Sequence, residues 1–206
     1  MATTRRRSPA SRPKESYHHG HLRHALLEAA LALVAEKSVA ELSLREVARR
    51  AGVTYAAPYH HFADKSALLA AVACQGFEGL AAELEQAAAR KATLESELLA
   101  MAEAYVAFAI AHPAHYRVMF LPEVKESPDA DALRVAGDRA FGMLLERVMR
   151  ARPSAPEREH RALAVTVWAA LHGLALLTID GVLQNKLPQP ERMTRDICRS
   201  IVGIAT

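Results

Sequence analysis

From about residue 20 onward the apolar side chains recur at spacings of three and four, the period of an α-helix, and this constrains the chain more than any other feature. Leu22, Leu26, Ala29 and Leu33 put one stripe on a first helix from about Gly20 to Lys37. No stretch shows the alternation of a strand. Aromatics make up only 5% of the chain, so its 51% hydrophobic content is mostly Ala, Leu and Val, which disfavours an all-β domain. With 206 residues, that content suffices for one good-sized core or two small ones sharing an interface, and it excludes a disordered or fibrous chain.

Local signals divide the pattern into about nine helices. Ser43 with Glu46 three residues on is a capping-box signature for a short second helix ending near Arg50, and Gly52 breaks it. Thr54 is placed to cap a third helix through His60, and Asp64 a fourth from Lys65 to about Ala89. Thr93 opens a fifth that stops at His112, since Pro113 disfavours helical geometry in the residue before it. A short sixth spans Pro113 to Phe120, and Pro122 to Pro128 reads as a loop. The last three run from Asp129 to Arg150, Pro156 to about Asp180 and Pro190 to Ile204. The expected fold is all-α: an N-terminal three-helix domain joined by a long helix to a C-terminal helical bundle.

Charge is unevenly spread. Residues 1–66 carry 11 Lys/Arg against 6 Asp/Glu, a balance of +5, whereas residues 67–206 carry 15 against 17, a balance of −2. Residues 1–16, with Arg5, Arg6 and Arg7 among Ser and Pro, read as a flexible basic arm. Positive charge at one end suits a phosphate backbone, and equally a solvated tail. The polar stretch after the arginines does not make a signal peptide. Ala162 to Ile179 approaches the length of a membrane span, but its His172 and threonines favour a buried helix. Cys74 and Cys198 lie 124 positions apart with no C-x-x-C pair, which argues against a disulfide framework or thiolate metal site and for a reducing cytoplasm.

The segment Val47-Ala48-Arg49-Arg50-Ala51-Gly52-Val53-Thr54 has the local logic of a helix-turn-helix. Ala48 lets two helices cross closely, Gly52 tolerates the sharp turn, and Val47, Ala51 and Val53 form a small core beneath. His18, His19, His21 and His24 crowd together, as do His60 and His61, yet no Cys, Asp or Glu joins them at ligand spacing, so no metal is expected. There is no nucleophile elbow and no His-Glu-x-x-His, so the chain reads as something other than an enzyme.

The next stretch resembles the tetracycline-repressor-like (TetR) family of transcriptional regulators. The family's Tyr-x-His-Phe-x-x-Lys-x-x-Leu run is matched by Tyr59, His61, Phe62, Lys65 and Leu68, and upstream by Tyr17-His18-His19-Gly20-x-Leu22-Arg23, about residues 17–70 in all. Trp168-x-x-x-His172-Gly173 is similar to the Trp-His-Gly signature of one ligand-binding subgroup. Pro58 stands where many members have an aliphatic residue, which implies a short, stiff recognition helix.

The resemblance implies a DNA-binding domain at residues 17–66 and an effector-binding and dimerisation domain at 67–206. Thr54, Tyr55, Ala56 and Ala57 would face base edges, Tyr59, His60 and Lys65 would reach phosphates, and Ser43 and Arg45 would clamp the backbone. Phe62 reads as core. Met101, Tyr105, Phe108, Tyr116, Met119, Phe120, Phe141, Trp168 and His172 are the large groups available to hold a small-molecule effector, apolar or aromatic in character. The last two long helices, with Ala169 and Gly173 for close approach and a stripe of Met193, Ile197, Ile201 and Ile204, would pair two copies into a homodimer. The expected function is a cytoplasmic repressor on a palindromic operator, released by its effector. An activator on the same fold and a helical protein–protein adaptor with a basic arm are the rival readings.

Overall fold

The computed structural model describes residues 15–89, 91–127, 129–184, 186 and 190–205, with backbone alone for 15–20, 190 and 191. Among the described residues there are eight α-helices and no strand. They are α1 (Glu15–Glu36), α2 (Leu44–Arg50), α3 (Lys65–Ala88), α4 (Leu94–Ala111), α5 (Pro113–Met119), α6 (Ala130–Ala151), α7 (Glu157–Ile179) and α8 (Pro190–Val202). Single 3-10 turns lie at Val39–Glu41, Ala57–His60 and Pro122–Glu126.

Three details differ from the sequence reading. The helix expected over Thr54–His60 is a 3-10 turn, because backbone bonds there close over three residues: Ala57 N–H donates to the Thr54 carbonyl at 3.0 Å and Tyr59 N–H to that of Ala56 at 3.2 Å. Thr54 thus contributes its carbonyl rather than a side-chain cap. The expected 122–128 loop contains a 3-10 turn. Helix α1 begins at Glu15, so Glu15 and Ser16, assigned to the arm, are helical; Arg5, Arg6 and Arg7 lie outside the described residues.

Caps fix where the helices start. Asp64 accepts a hydrogen bond from Ala67 N–H at 2.9 Å, and the Ser66 hydroxyl, together with that bond, lowers its carboxyl pKa. Thr93 and Ser96 form a reciprocal capping box on α4, with bonds of 3.1 and 3.2 Å. Each such cap is worth about 1 kcal/mol. Pro113 sits in the first turn of α5, where its missing N–H costs nothing, and His112 before it leaves helical geometry at φ −126° and ψ 55°.

Helix α3 is the spine. It packs against α1, α4, α5 and α6, while α4 carries α7 and α8 on its other side. Its buried alanines, Ala67, Ala70, Ala71, Ala73 and Ala81, allow close helix approach. At Gly76 the approach is closest: a Cβ there would stand 2.7 Å from Met119 Cγ and Sδ of α5. One continuous buried cluster runs from Leu26, Val47, Phe62 and Leu68 at the N-terminal end to Leu98, Tyr116, Val167 and Cys198 at the other.

Candidate functional site

The N-terminal site is built on the turn after α2. Gly52 has φ +69°, the left-handed conformation that an L side chain adopts only at a cost. Around it Val53 N–H donates to the Ala48 carbonyl at 3.0 Å and Gly52 N–H to that of Arg49 at 3.3 Å, the paired bonds of a Schellman ending. At the other end of α2, Ser43 Oγ accepts from Glu46 N–H at 3.2 Å. The box is not reciprocal, because the Glu46 carboxylate turns to Lys37 at 3.2 Å and Arg49 at 2.6 Å. Those two cations hold its pKa down at about 2.

The turn at Gly52 brings most of residues 54–60 to the surface. Thr54, Tyr55, Ala56, Tyr59 and His60 are exposed, Tyr55 by 62% and Tyr59 by 56%, while Ala57 is half-buried and Pro58 buried beneath them. Two tyrosines this exposed are not core aromatics. Phe62, by contrast, is buried, with the Arg23 guanidinium over its ring at 5.4 Å.

Ion pairing separates the basic residues that the sequence groups together. Arg50 forms a two-pronged pair with Glu36, at 2.6 and 2.5 Å, and Arg49 is held by Glu46. Lys65 Nζ donates to the Val39 carbonyl at 2.6 Å, tying the 3-10 turn after α1 to the start of α3 and leaving two of its three hydrogens. Arg45 is exposed and has no ion pair among the described residues. Ser43, Arg45, Glu46, Arg49 and Tyr55 edge one shallow notch. Glu46 and Arg49 are the members that sequence reasoning leaves out of the interface, although Arg49 lies four residues after Arg45 and so one helical turn along the same face.

The second site is a cavity of about 650 Å³, open on one side and lined mainly by α3, α4, α6 and α7, with Met119 of α5 and Val202 of α8. This lies within the roughly 300–1,000 Å³ range of small-molecule sites. Met101, Tyr105, Met119, Phe120, Phe141 and Trp168 line it as the sequence reading groups them, together with Phe77, Leu80, Leu84, Leu98 and Leu144, which that reading omits. Phe108, Tyr116 and His172 are not on the wall. Phe108 packs toward Gly79 of α3 and the His112 ring, whose centroid lies 4.9 Å away. Exposed Lys125, Asp131, Arg134 and Asp138 form the rim, where Arg134 bonds Asp131 at 3.4 Å and Asp138 at 3.3 Å.

Tyr116 and His172 belong instead to a polar node behind the wall. Trp168 Nε1–H donates to the Tyr105 hydroxyl at 3.1 Å, the Tyr105 and Tyr116 hydroxyls bond at 2.9 Å, and the Tyr116 hydroxyl meets His172 Nδ1 at 2.7 Å. Burial raises the pKa of both phenols and lowers that of the imidazole, so the node is uncharged at neutral pH. His21 and His24 are exposed on α1, and the side chains of His18 and His19 lie outside the described residues.

A helix-turn-helix carried on a helical domain with a chamber of small-molecule size is the architecture of a DNA-binding regulator. Comparison with known proteins makes this specific. Residues 26–72 match the sequence profile described as bacterial regulatory proteins, tetR family, and residues 98–201 match that of the tetracyclin repressor-like C-terminal domain. The chain belongs to the TetR family of transcriptional regulators. Among solved structures it is similar to a protein of unknown function from Rhodococcus sp. RHA1, with 33% identity and a TM-score of 0.74 over 93% of this chain and 97% of that one. The fold is also shared with the fatty acid degradation regulator FadR from Bacillus halodurans, at 14% identity and TM-score 0.69 over 87% and 94% of the two chains. PfmR, a TetR family transcriptional regulator from Thermus thermophilus, shares it at 22% identity and TM-score 0.60 over 86% and 97%. No curated protein matches the sequence.

Proposed function

We propose that the protein is a cytoplasmic repressor that binds a palindromic operator as a homodimer and is released by a small molecule in the cavity of its C-terminal domain. The observation that carries this reading is the course of α3. The same helix that supplies Phe77, Leu80 and Leu84 to the cavity wall begins at Lys65, five residues after the exposed recognition turn ends at His60. An occupant that displaces α3 therefore displaces the turn. In this division residues 17–66 read DNA, with Tyr55, Thr54, Ala56 and Ala57 at base edges and Ser43, Arg45, Tyr59, His60 and Lys65 at phosphates, and residues 67–206 sense the effector. The Trp168-His172-Gly173 segment favours the Trp-His-Gly subgroup.

The outer face of α7 supports the dimer. Ala162, Thr166, Ala169 and Leu177 are exposed at helical spacing, and a Cβ on Gly173 in the same row would meet nothing within 4 Å. Val182 and Ile204 extend the exposed apolar surface, each by close to half of its area. A second copy packed here through α7 and α8 would form a four-helix bundle. Twofold symmetry then requires half-site centres about one DNA turn, roughly 34–36 Å, apart. Release is a two-state matter: the effector favours a dimer whose recognition turns no longer match successive grooves.

Selection of bound fragments from a pool of random duplexes, followed by mobility shift in excess unrelated DNA, tests the reading. The expected result is an inverted repeat bound by a dimer, with Arg45→Ala weakening binding and flattening its salt dependence by about one phosphate contact. Unselective binding, or selective binding by a monomer, would contradict it.

A further inference from the structure

The hydrogen bonds of the polar node constrain what the cavity can hold, and this inference rests on the cavity being the effector site. Tyr105 and Trp168 are wall residues, whereas Tyr116 and His172 stand behind them. A phenolic oxygen has two lone pairs and one hydrogen, and Nδ1 of a neutral imidazole either donates or accepts. Consider the proton on Nδ1. His172 then donates to Tyr116 at 2.7 Å, Tyr116 donates to Tyr105 at 2.9 Å, and Trp168 fills the second lone pair of Tyr105 at 3.1 Å. The Tyr105 O–H is left over. Now move the proton to Nε2. Tyr116 donates to Nδ1, Tyr105 donates to Tyr116, Trp168 takes one lone pair of Tyr105, and the other lone pair is left over. The Tyr105 hydroxyl also lies 3.3 Å from Nδ1, but the 2.7 Å separation of Tyr116 and Nδ1 requires a hydrogen between those two atoms, so Tyr105 cannot spend its own on the imidazole. Either way Tyr105 has one unspent function, a donor in the first tautomer and an acceptor in the second.

The rest of the wall supplies no compensation for a charge. Its charged groups, Lys125, Asp131, Arg134 and Asp138, are all exposed at the rim, and they balance in number, two cations against two anions. Arg134 is engaged by both aspartates. An ionised head buried among Leu, Met and Phe would have a single hydroxyl for a partner, which does not offset its lost hydration. We propose that the cavity takes an un-ionised, largely hydrocarbon molecule bearing one neutral oxygen function, a ketone, ester, phenol or alcohol, docked on the Tyr105 hydroxyl. The His172 tautomer selects whether Tyr105 donates to a carbonyl or accepts from an alcohol, so both are admitted.

Trp168 is the single tryptophan of the chain, so its emission reports on this wall alone. The full-length protein is titrated with octane, 2-octanone, 1-octanol, octanoate and octylammonium, all below any micelle concentration. The ketone and the alcohol are expected to bind within about threefold of each other and about five- to tenfold more tightly than octane, the worth of one net hydrogen bond. The two ions are expected at least about tenfold more weakly than the ketone, for lack of a buried counter-charge. In Tyr105→Phe the ketone should fall to within about twofold of octane while octane itself is unchanged, which a general loosening of the wall would not produce. Preference for octanoate or octylammonium, a ketone advantage that survives Tyr105→Phe, or no response of Trp168 to any neutral probe overturns the proposal. Operator binding measured alongside separates the two claims. Ketone binding without DNA release contradicts the effector reading and leaves the ligand chemistry standing, and octanoate binding with DNA release does the reverse.

Discussion

The two ends of the molecule are held by different means. The DNA-binding end is made of short elements fixed by local bonds: the Ser43 cap, the Schellman ending at Gly52, the Ala57–His60 turn and the Asp64 cap, over a filled core of Val47, Ala48, Phe62 and Leu68. The C-terminal end is made of long helices whose crossings leave about 650 Å³ unfilled. One end therefore resists any change of volume, and the other has room to absorb it. Rigidity thus lies around the helix-turn-helix, and slack around the cavity.

Truncating a leucine at each end should show the contrast most strongly. Leu68→Ala, in the filled core with no exposed surface, is expected to cost about 3–5 kcal/mol, because the void left behind adds to the lost burial. Leu144→Ala, on the cavity wall and only half-buried, is expected nearer about 2 kcal/mol, since part of that side chain already faces open space. Chemical denaturation of both variants checks this, and equal losses would mean that the cavity wall is as tightly packed as the core.

Adding volume should give the opposite ordering. Ala48→Leu, where α2 has no spare room, is expected to destabilise by about 1–3 kcal/mol, whereas Ala102→Leu on the cavity wall should be close to neutral. Thermal melts in the absence of any added ligand are the measurement. The two glycines come next. Gly52→Ala meets no neighbour, yet is expected to lose about 1–2 kcal/mol to its φ of +69°. Gly173→Ala, in an open helical position, should gain about 0.5–1 kcal/mol of monomer stability while weakening self-association, which sedimentation would detect.

The smallest effect is that of pH. Burial lowers the pKa of His115, at the α5 packing surface, and of His172 in the polar node, from an ordinary value of 6.5. The unfolded chain then binds more protons than the folded one, so the contribution of these groups is whole above pH 6.5 and declines as pH falls toward their depressed native values. Melting temperatures should drop modestly below pH 6.5, and His115→Gln should flatten that decline. A rise in stability on mild acidification would reverse the sign.

The same contrast decides what is legible in the sequence. Ser43, Gly52, Asp64, Thr93 and Pro113 act on neighbours within a few residues, so the breaks they mark can be read directly, and so can the run from Thr54 to His60, of which only Ala57 and Pro58 turn inward. Pro58 reads as stiffening an α-helix because proline is tolerated in a first turn; that the whole segment is one turn closed over three residues depends on how Phe62 and α3 anchor it. The cavity is legible only in part. Met101, Tyr105 and Phe108 recur at helical spacing on α4, but the crossing with α3 carries Phe108 past the chamber to Gly79. Sequence reasoning misses Phe77 on the longest helix. The separation of Tyr105 and Trp168 at the wall from Tyr116 and His172 behind it depends on the mutual angles of the three helices α4, α5 and α7, which no periodicity contains.

Coupling through α3 is the central claim, and fluorescence anisotropy of a labelled operator duplex tests it most directly. Wild type and Ala102→Trp, whose indole would fill the cavity from its wall, are titrated onto the duplex with and without 2-octanone. Coupling requires the ketone to weaken operator binding by wild type at least about tenfold, within the usual range of allosteric coupling, and to leave Ala102→Trp unaffected. Ketone and operator bound together by wild type, neither changing the affinity for the other, would contradict it.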